Sequence, residues 1–128
     1  MALHPKQIES VMALPGPERY DHFIKQIVDG EKVWGLYNNG WALASTDDGT
    51  QVFPVWPAED YAAKCAQDEW SGYEPISIAL NDFIEELLPM LERDGVIPGV
   101  FYTPTNKGIT PEITQLIEDI NHELGHYE

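Results

Sequence analysis

His122, Glu123 and His126 are the residues of this sequence whose types and spacing best fit a reaction centre. The run His122-Glu123-Leu124-Gly125-His126 follows the pattern H-E-x-x-H. On a helix, two imidazoles one turn apart can bind a zinc ion, and the glutamate beside them can activate a zinc-bound water. The chemistry would then be hydrolysis, with Glu123 as the catalytic residue and His122 and His126 as metal ligands.

This pattern resembles the signature of zinc metallopeptidases over five of the 128 residues. Those families take a third ligand downstream, whereas Tyr127 and Glu128 are what this sequence offers after His126. A third ligand would have to come from upstream, such as His4, His22 or an acid. The apolar stripe of the same helix lies on its other side, so both motif histidines are expected to face solvent. The leading expectation is therefore a protein without a metal or other cofactor, with a zinc-dependent hydrolase as the alternative.

Four tryptophans form a second group of candidate functional residues. Trp34, Trp41, Trp56 and Trp70 lie on or beside a predicted sheet and the helix that follows it. Tryptophan supplies a large buried area, which favours core packing, whereas exposed rings would form a platform for a ligand or a partner. Because Trp56 and Trp70 lie at the ends of elements, they are predicted to be the exposed pair and the candidate binding residues.

The charge balance limits the classes of partner. Seven Lys and Arg stand against 22 Asp and Glu, which gives a formal net charge of -15. Because this charge repels phosphates, neither nucleic acid nor an anionic membrane is an expected partner. An acidic surface favours a basic protein partner, although spread acids also serve simply as a solvated surface. None of these features sets the oligomeric state.

The cysteine count favours a cytoplasmic protein. A single cysteine, Cys65, excludes an intramolecular disulfide, and its helical context favours the role of a small buried hydrophobe. The N-terminal residues form no apolar run long enough for a signal peptide or a membrane helix. The sequence also lacks a glycine-rich phosphate loop, a dinucleotide fingerprint and a nucleophile elbow.

Apolar periodicity and turn residues predict mixed helices and strands. Helices are predicted around 8–12 and over 17–29, 57–70, 80–94 and 110–124, with a kink or early end at Pro89. Strands are predicted over 33–37, 41–45, 51–56, 75–78 and 96–102. Asn38-Asn39-Gly40 marks a tight hairpin, and Pro54 argues for an edge strand or an irregular strand end. The predicted fold is a single two-layer α+β domain over residues 1–128, in which about four to five helices pack an antiparallel meander of about four to five strands.

The chain also resembles the uncharacterised bacterial family catalogued as domain of unknown function 2750. The residues that carry the resemblance are Trp41-Ala42-Leu43, Asp48-Gly49, Phe53-Pro54-Val55-Trp56-Pro57, Trp70, Ile76, Leu80-Asn81-Asp82-Phe83 and Gly99-Val100-Phe101. The resemblance spans most of the chain, implies a small α+β bacterial cytoplasmic protein and carries over no catalytic residue. The sequence therefore favours a non-enzymatic interaction or regulatory domain, whose narrower form is an acidic neutraliser of a basic toxin.

Overall fold

A computed structural model describes residues 4–125 of the chain. Its helices are α1 (Pro5–Met12), α2 (Gly16–Gly30), α3 (Glu59–Cys65), α4 (Leu80–Asp82), α5 (Leu88–Asp94) and α6 (Ile113–Gly125). Its strands are β1 (Lys32–Tyr37), β2 (Ala44–Ser45), β3 (Gln51–Val55), β4 (Glu74–Ala79) and β5 (Ile97–Val100). A 3-10 turn covers Asp68–Trp70, and a π-helical turn, Phe83–Leu87, joins α4 to α5.

The described residues form a mixed α/β fold, which confirms the predicted fold class. Their strands are arranged in two small sheets, in which β1 pairs with β4 and β3 lies between β2 and β5. Trp34 and Trp56 join the two sheets through reciprocal backbone hydrogen bonds of 2.9 and 2.8 Å. The sheets therefore meet at the end of β3.

The order of the strands differs from a simple meander. β1 pairs antiparallel with β4 along its whole length, and after the Asn38-Asn39-Gly40 reversal it meets the next segment through the isolated bridge from Tyr37 to Trp41. β2 and β3 pair antiparallel as predicted, whereas β5 runs parallel to β3. The helical segment before β5 returns the chain to the end of the sheet where β3 begins, and such a crossover produces a parallel pair.

Pro54 lies in the central strand of its sheet rather than in an edge strand. The neighbouring residues Val52 and Trp56 pair with Ala44 and Trp34 on the side of β3 opposite β5. Because backbone groups alternate along a strand, the nitrogen of Pro54 points into the gap between these two partners. The missing N–H therefore costs no ladder hydrogen bond. The strand is irregular at Pro54 because neither β2 nor β1 pairs with this residue.

Two helix boundaries differ from the periodic pattern. The helix predicted over 57–70 ends at Cys65, because the backbone leaves the helical conformation at Ala66, where ψ is 63°. The last helix begins at Ile113 instead of 110, because Ile109 is held against Val100 by backbone hydrogen bonds of 2.6 and 2.9 Å. The prediction from local propensity extended both helices into segments that adopt other conformations in the folded protein.

Pro89 does not end its helix early, and the helix continues to Asp94. The irregularity is the π-helical turn before it, in which the Leu88 N–H donates to the Phe83 carbonyl five residues back. A proline has no N–H for the carbonyl four residues back, and a π turn is one way in which a helix accommodates such a break. Gly95, with a φ of 72°, then ends the helix in a left-handed cap.

One hydrophobic cluster connects the helices to the sheets. Its largest fully buried side chains include Trp56, Tyr61, Phe23, Phe83 and Phe101. The apolar face of α2 fills this core with Phe23, Ile24, Ile27 and Val28, whereas Tyr20 on the same helix is half-buried. The Tyr20 hydroxyl donates to the Asp119 carboxylate at 2.5 Å and thereby fastens α2 to α6.

Candidate functional site

A groove of about 560 Å³ opens at one end of β3 and is the leading candidate site. Three segments distant in sequence line it: residues 43–45 with Gln51, residues 67–70 with Cys65, and the loop 102–107. We call it the Trp70 groove. Concave sites with an apolar floor and convergent polar groups are the usual places for ligands and partner segments.

The tryptophans are exposed in the opposite order from the prediction. Trp56 is fully buried, and its indole N–H donates to the Tyr102 carbonyl at 2.8 Å. Trp70 stands edge-on to Trp56 and retains 8% exposure at the groove. The expectation that this pair is exposed is therefore wrong, because a backbone carbonyl inside the core satisfies the indole of Trp56. Trp34 and Trp41 are the half-buried pair.

Cys65 lies beside the groove as the small buried residue that the sequence predicts. Its thiol donates to the same Tyr102 carbonyl at 3.3 Å. Burial raises the pKa of Cys65 to about 12, and the neighbouring Trp56 lowers it only in part. The thiol therefore stays protonated near neutral pH, and the thiolate that a cysteine nucleophile needs is not formed.

One strained residue borders the groove. Phe101 precedes the loop 102–107 with a φ of 63°, whereas Asp68 has a φ of 54° that an aspartate tolerates. A bulky residue rarely adopts this conformation, and such strain persists only where the surroundings impose it. At Phe101, the N–H donates to the Val55 carbonyl at 2.9 Å, and the ring lies 4.9 Å from that of Tyr61. Backbone strain of this kind often accompanies functional sites.

The charges at the groove are mainly acidic. Asp68 and Glu69 lie on one wall, and Lys107 lies on the loop that forms another. The Lys107 ammonium is 3.4 Å from the carboxylate of Asp47, but both side chains are exposed, so this ion pair contributes little stability. The pKa of Tyr102 is raised, first by burial and then by the charge of Glu69. The groove can therefore accept a positively charged group.

Arg19 supports the groove from behind and was missed by the sequence analysis. It is 5% exposed, and its guanidinium donates to the Leu14 carbonyl at 2.8 Å and to the Lys107 carbonyl at 3.5 Å. These bonds tie the loop 102–107 to the chain before α2. The signal was the spacing, because Arg19 lies four residues before Phe23 on the buried face of α2.

The described residues of the candidate metal motif lie outside this groove. His122 is exposed on α6 as predicted, and Glu123 is half-buried on the same helix, whereas His126 lies outside the described residues. Over residues 4–125, no group of three or more His, Cys, Asp or Glu is placed to hold a metal ion. The zinc-dependent hydrolase therefore stays a prediction.

The two upstream histidines already have structural surroundings of their own. His4 caps α1 by accepting a hydrogen bond from the Lys6 N–H at 3.1 Å. The ring of His22 packs against Tyr61 and Phe101, each 6.2 Å away between ring centroids. Burial lowers the pKa of His22, so its imidazole is favoured in the neutral form.

The described residues thus combine a mixed α/β fold with an acidic groove at one end of β3. Residues 20–120 match the family described as a protein of unknown function, DUF2750, and the chain belongs to that family. No curated protein and no solved structure matches the chain. Among the described residues, no helix is both long enough and apolar enough to cross a membrane.

Proposed function

We propose that this protein is a non-enzymatic interaction module of the bacterial cytoplasm, and that its Trp70 groove receives a positively charged segment of a partner protein. The observation that carries the proposal is the placement of Asp68 and Glu69 on the groove wall beside the edges of Trp70 and Tyr102. A lysine or arginine side chain fits such a site, because carboxylates attract its charge and aromatic surfaces contact its carbon stem.

The charge of the whole chain supports the same class of partner. A net charge of -15 raises the rate at which a basic protein approaches and lowers the rate for nucleic acid or an anionic membrane. The expected association is fast and becomes weaker as salt is added. An acidic neutraliser of a basic toxin is the narrower form of this function, and no cofactor is needed for it.

The hydrogen bonds that hold the groove residues in place also support binding by a preformed surface. Trp56 and Cys65 both donate to the Tyr102 carbonyl, and Arg19 holds the loop from the other side. A surface that is already held in shape loses less conformational entropy when a partner binds. The module therefore needs no rearrangement to present Asp68 and Glu69.

The test compares two double variants that remove the same charge. Asp68→Asn with Glu69→Gln neutralises the groove, whereas Glu85→Gln with Glu86→Gln neutralises two adjacent exposed acids on the π-helical turn. Asparagine tolerates the left-handed backbone of residue 68, so the groove should keep its shape. Each protein is used at low and high salt to capture partners from a lysate, and retained proteins are quantified by mass spectrometry.

We expect a basic protein that the wild type and the Glu85/Glu86 variant retain at low salt and that the groove variant loses. That protein is then purified, and its affinity is measured by calorimetry with all three chains. Equal affinities for the two variants would overturn the groove as the binding site, as would the absence of any protein whose capture depends on Asp68 and Glu69.

A further inference from the structure

The outer edge of β4 is a candidate binding surface separate from the Trp70 groove, because its backbone groups have no partner strand. β4 is the last strand of its sheet, and its partner is β1. Ser77 lies opposite Trp34, whose own N–H and carbonyl are bonded to Trp56. In an antiparallel ladder such a pair is not hydrogen-bonded, so the N–H and carbonyl of Ser77 point away from β1.

The side chains on β4 leave this edge accessible. Ser77 is exposed, and over residues 4–125 its outward backbone groups make no backbone hydrogen bond. Ile76 is 42% exposed and lies opposite Gly35, the residue over which the Trp41 ring packs. Pro75 also belongs to the outward set and lacks an N–H, which is typical of an edge strand. A row of outward groups beside an exposed isoleucine is the arrangement to which an added strand binds.

The charges near the two ends of β4 indicate the kind of strand that fits. Glu74 begins the strand and Asp82 follows it, and both acids are exposed. Glu31 and Lys32, whose charges are opposite, lie across β4 on the β1 side, where they face Leu80 and Ala79. A second copy of the chain would bring another net charge of -15 to this edge. An extended segment with cations at its ends has the complementary charge.

We propose that the β4 edge, from Glu74 to Ala79, binds a basic extended segment of a partner protein as an added β-strand. The segment exchanges backbone hydrogen bonds with Ser77, places an apolar side chain against Ile76 and directs lysines or arginines to the acids at the strand ends. This site is separate from the Trp70 groove, and either can fail without the other.

The probes are capped seven-residue peptides in which a lysine at each end flanks threonine alternating with valine, isoleucine, leucine or tyrosine. The same peptides with glutamate ends are the matched controls. Binding to the full chain is measured by fluorescence anisotropy, and exchange of the Ser77 amide proton is followed by NMR. We expect the lysine peptides to bind more tightly than the glutamate peptides and to slow exchange at Ser77.

Ser77→Pro removes the outward N–H without removing a hydrogen bond to β1, and Ser77→Thr retains it. We expect Ser77→Pro to weaken binding about tenfold and Ser77→Thr to leave it unchanged. Glu74→Gln should weaken binding more than Glu118→Gln, which changes an exposed acid on α6. The exchange measurement uses the wild-type chain, so it decides the question even where Ser77→Pro does not fold.

Four results would overturn the proposal. The first is that no lysine peptide binds, and the second is that the peptides bind without slowing exchange at Ser77. The third is that Asp68→Asn with Glu69→Gln abolishes peptide binding while Ser77→Pro leaves it intact, which would place the peptide in the Trp70 groove. The fourth is a wild-type dimer in sedimentation that Ser77→Pro converts to a monomer, which would assign the edge to a second copy.

Discussion

Replacement of Trp56 by phenylalanine tests how strongly the core holds Tyr102, which lines the Trp70 groove. The indole is fully buried and donates to the Tyr102 carbonyl at 2.8 Å. Phenylalanine keeps an aromatic ring but removes the donor, which leaves that carbonyl with the weaker thiol donor of Cys65 at 3.3 Å. The substitution therefore removes one hydrogen bond and a small volume from a packed site.

The size of the effect follows from these two losses. A buried carbonyl that loses a good donor costs about 1–2 kcal/mol. The volume difference between the two side chains is about 40 Å³, and at about 24 cal/mol per Å³ the cavity costs about 1 kcal/mol. We expect Trp56→Phe to lower the free energy of unfolding by about 2–3 kcal/mol, a large fraction of the stability of a small domain.

The assay is equilibrium unfolding in urea followed by circular dichroism. Trp41→Phe is the matched control, because Trp41 is half-buried and packs over Gly35. It should cost about 1 kcal/mol or less. A loss below about 1 kcal/mol for Trp56→Phe, at an unchanged denaturant slope, would refute the assigned role of the Tyr102 carbonyl.

Three further predictions follow from single residues. Tyr61 is fully buried, and its hydroxyl lacks a hydrogen-bond partner among the described residues. In urea unfolding, Tyr61→Phe should therefore leave the free energy of unfolding unchanged or raise it by up to about 1 kcal/mol. A clear loss of stability would show that the hydroxyl is hydrogen-bonded. Burial lowers the pKa of His22 below 6.5, so the unfolded chain binds the proton first and stability should fall as the pH decreases from 6.5 towards that lowered value. His22→Gln should flatten this part of the stability profile, and an identical profile in the variant would refute the assignment. Elemental analysis of untagged protein should find less than stoichiometric zinc; one zinc per chain that disappears in His122→Ala would establish the zinc site and direct a search for its third ligand.

The sequence was informative wherever local periodicity and turn chemistry decide the structure. The apolar stripe of α2 is buried at Phe23, Ile24, Ile27 and Val28, and Cys65 is the small buried residue that its pattern predicts. The family resemblance, too, is confirmed by the match over residues 20–120. The helical burial pattern depends on residues within one or two turns of each other, so the sequence displays it directly.

The sequence was less informative about the candidate site, because the groove is assembled from distant segments. The exposure predicted for Trp56 was wrong because its hydrogen-bond partner, the Tyr102 carbonyl, lies 46 residues further along the chain. The same holds for Arg19, whose contact with Lys107 spans 88 residues. No local pattern reports which carbonyl a buried donor will reach.

The sequence by itself determined the mixed fold class, the acidic charge of -15, most of the helices and strands and the buried face of α2. The tertiary structure decided that β1 pairs with β4, that β5 runs parallel to β3 and that the groove forms between the turn at Asp68–Trp70 and the loop 102–107. The physical reason is the range of the interactions. Periodicity and capping act between residues close in sequence, whereas strand pairing, buried hydrogen bonds and cavities depend on segments that meet only when the core packs.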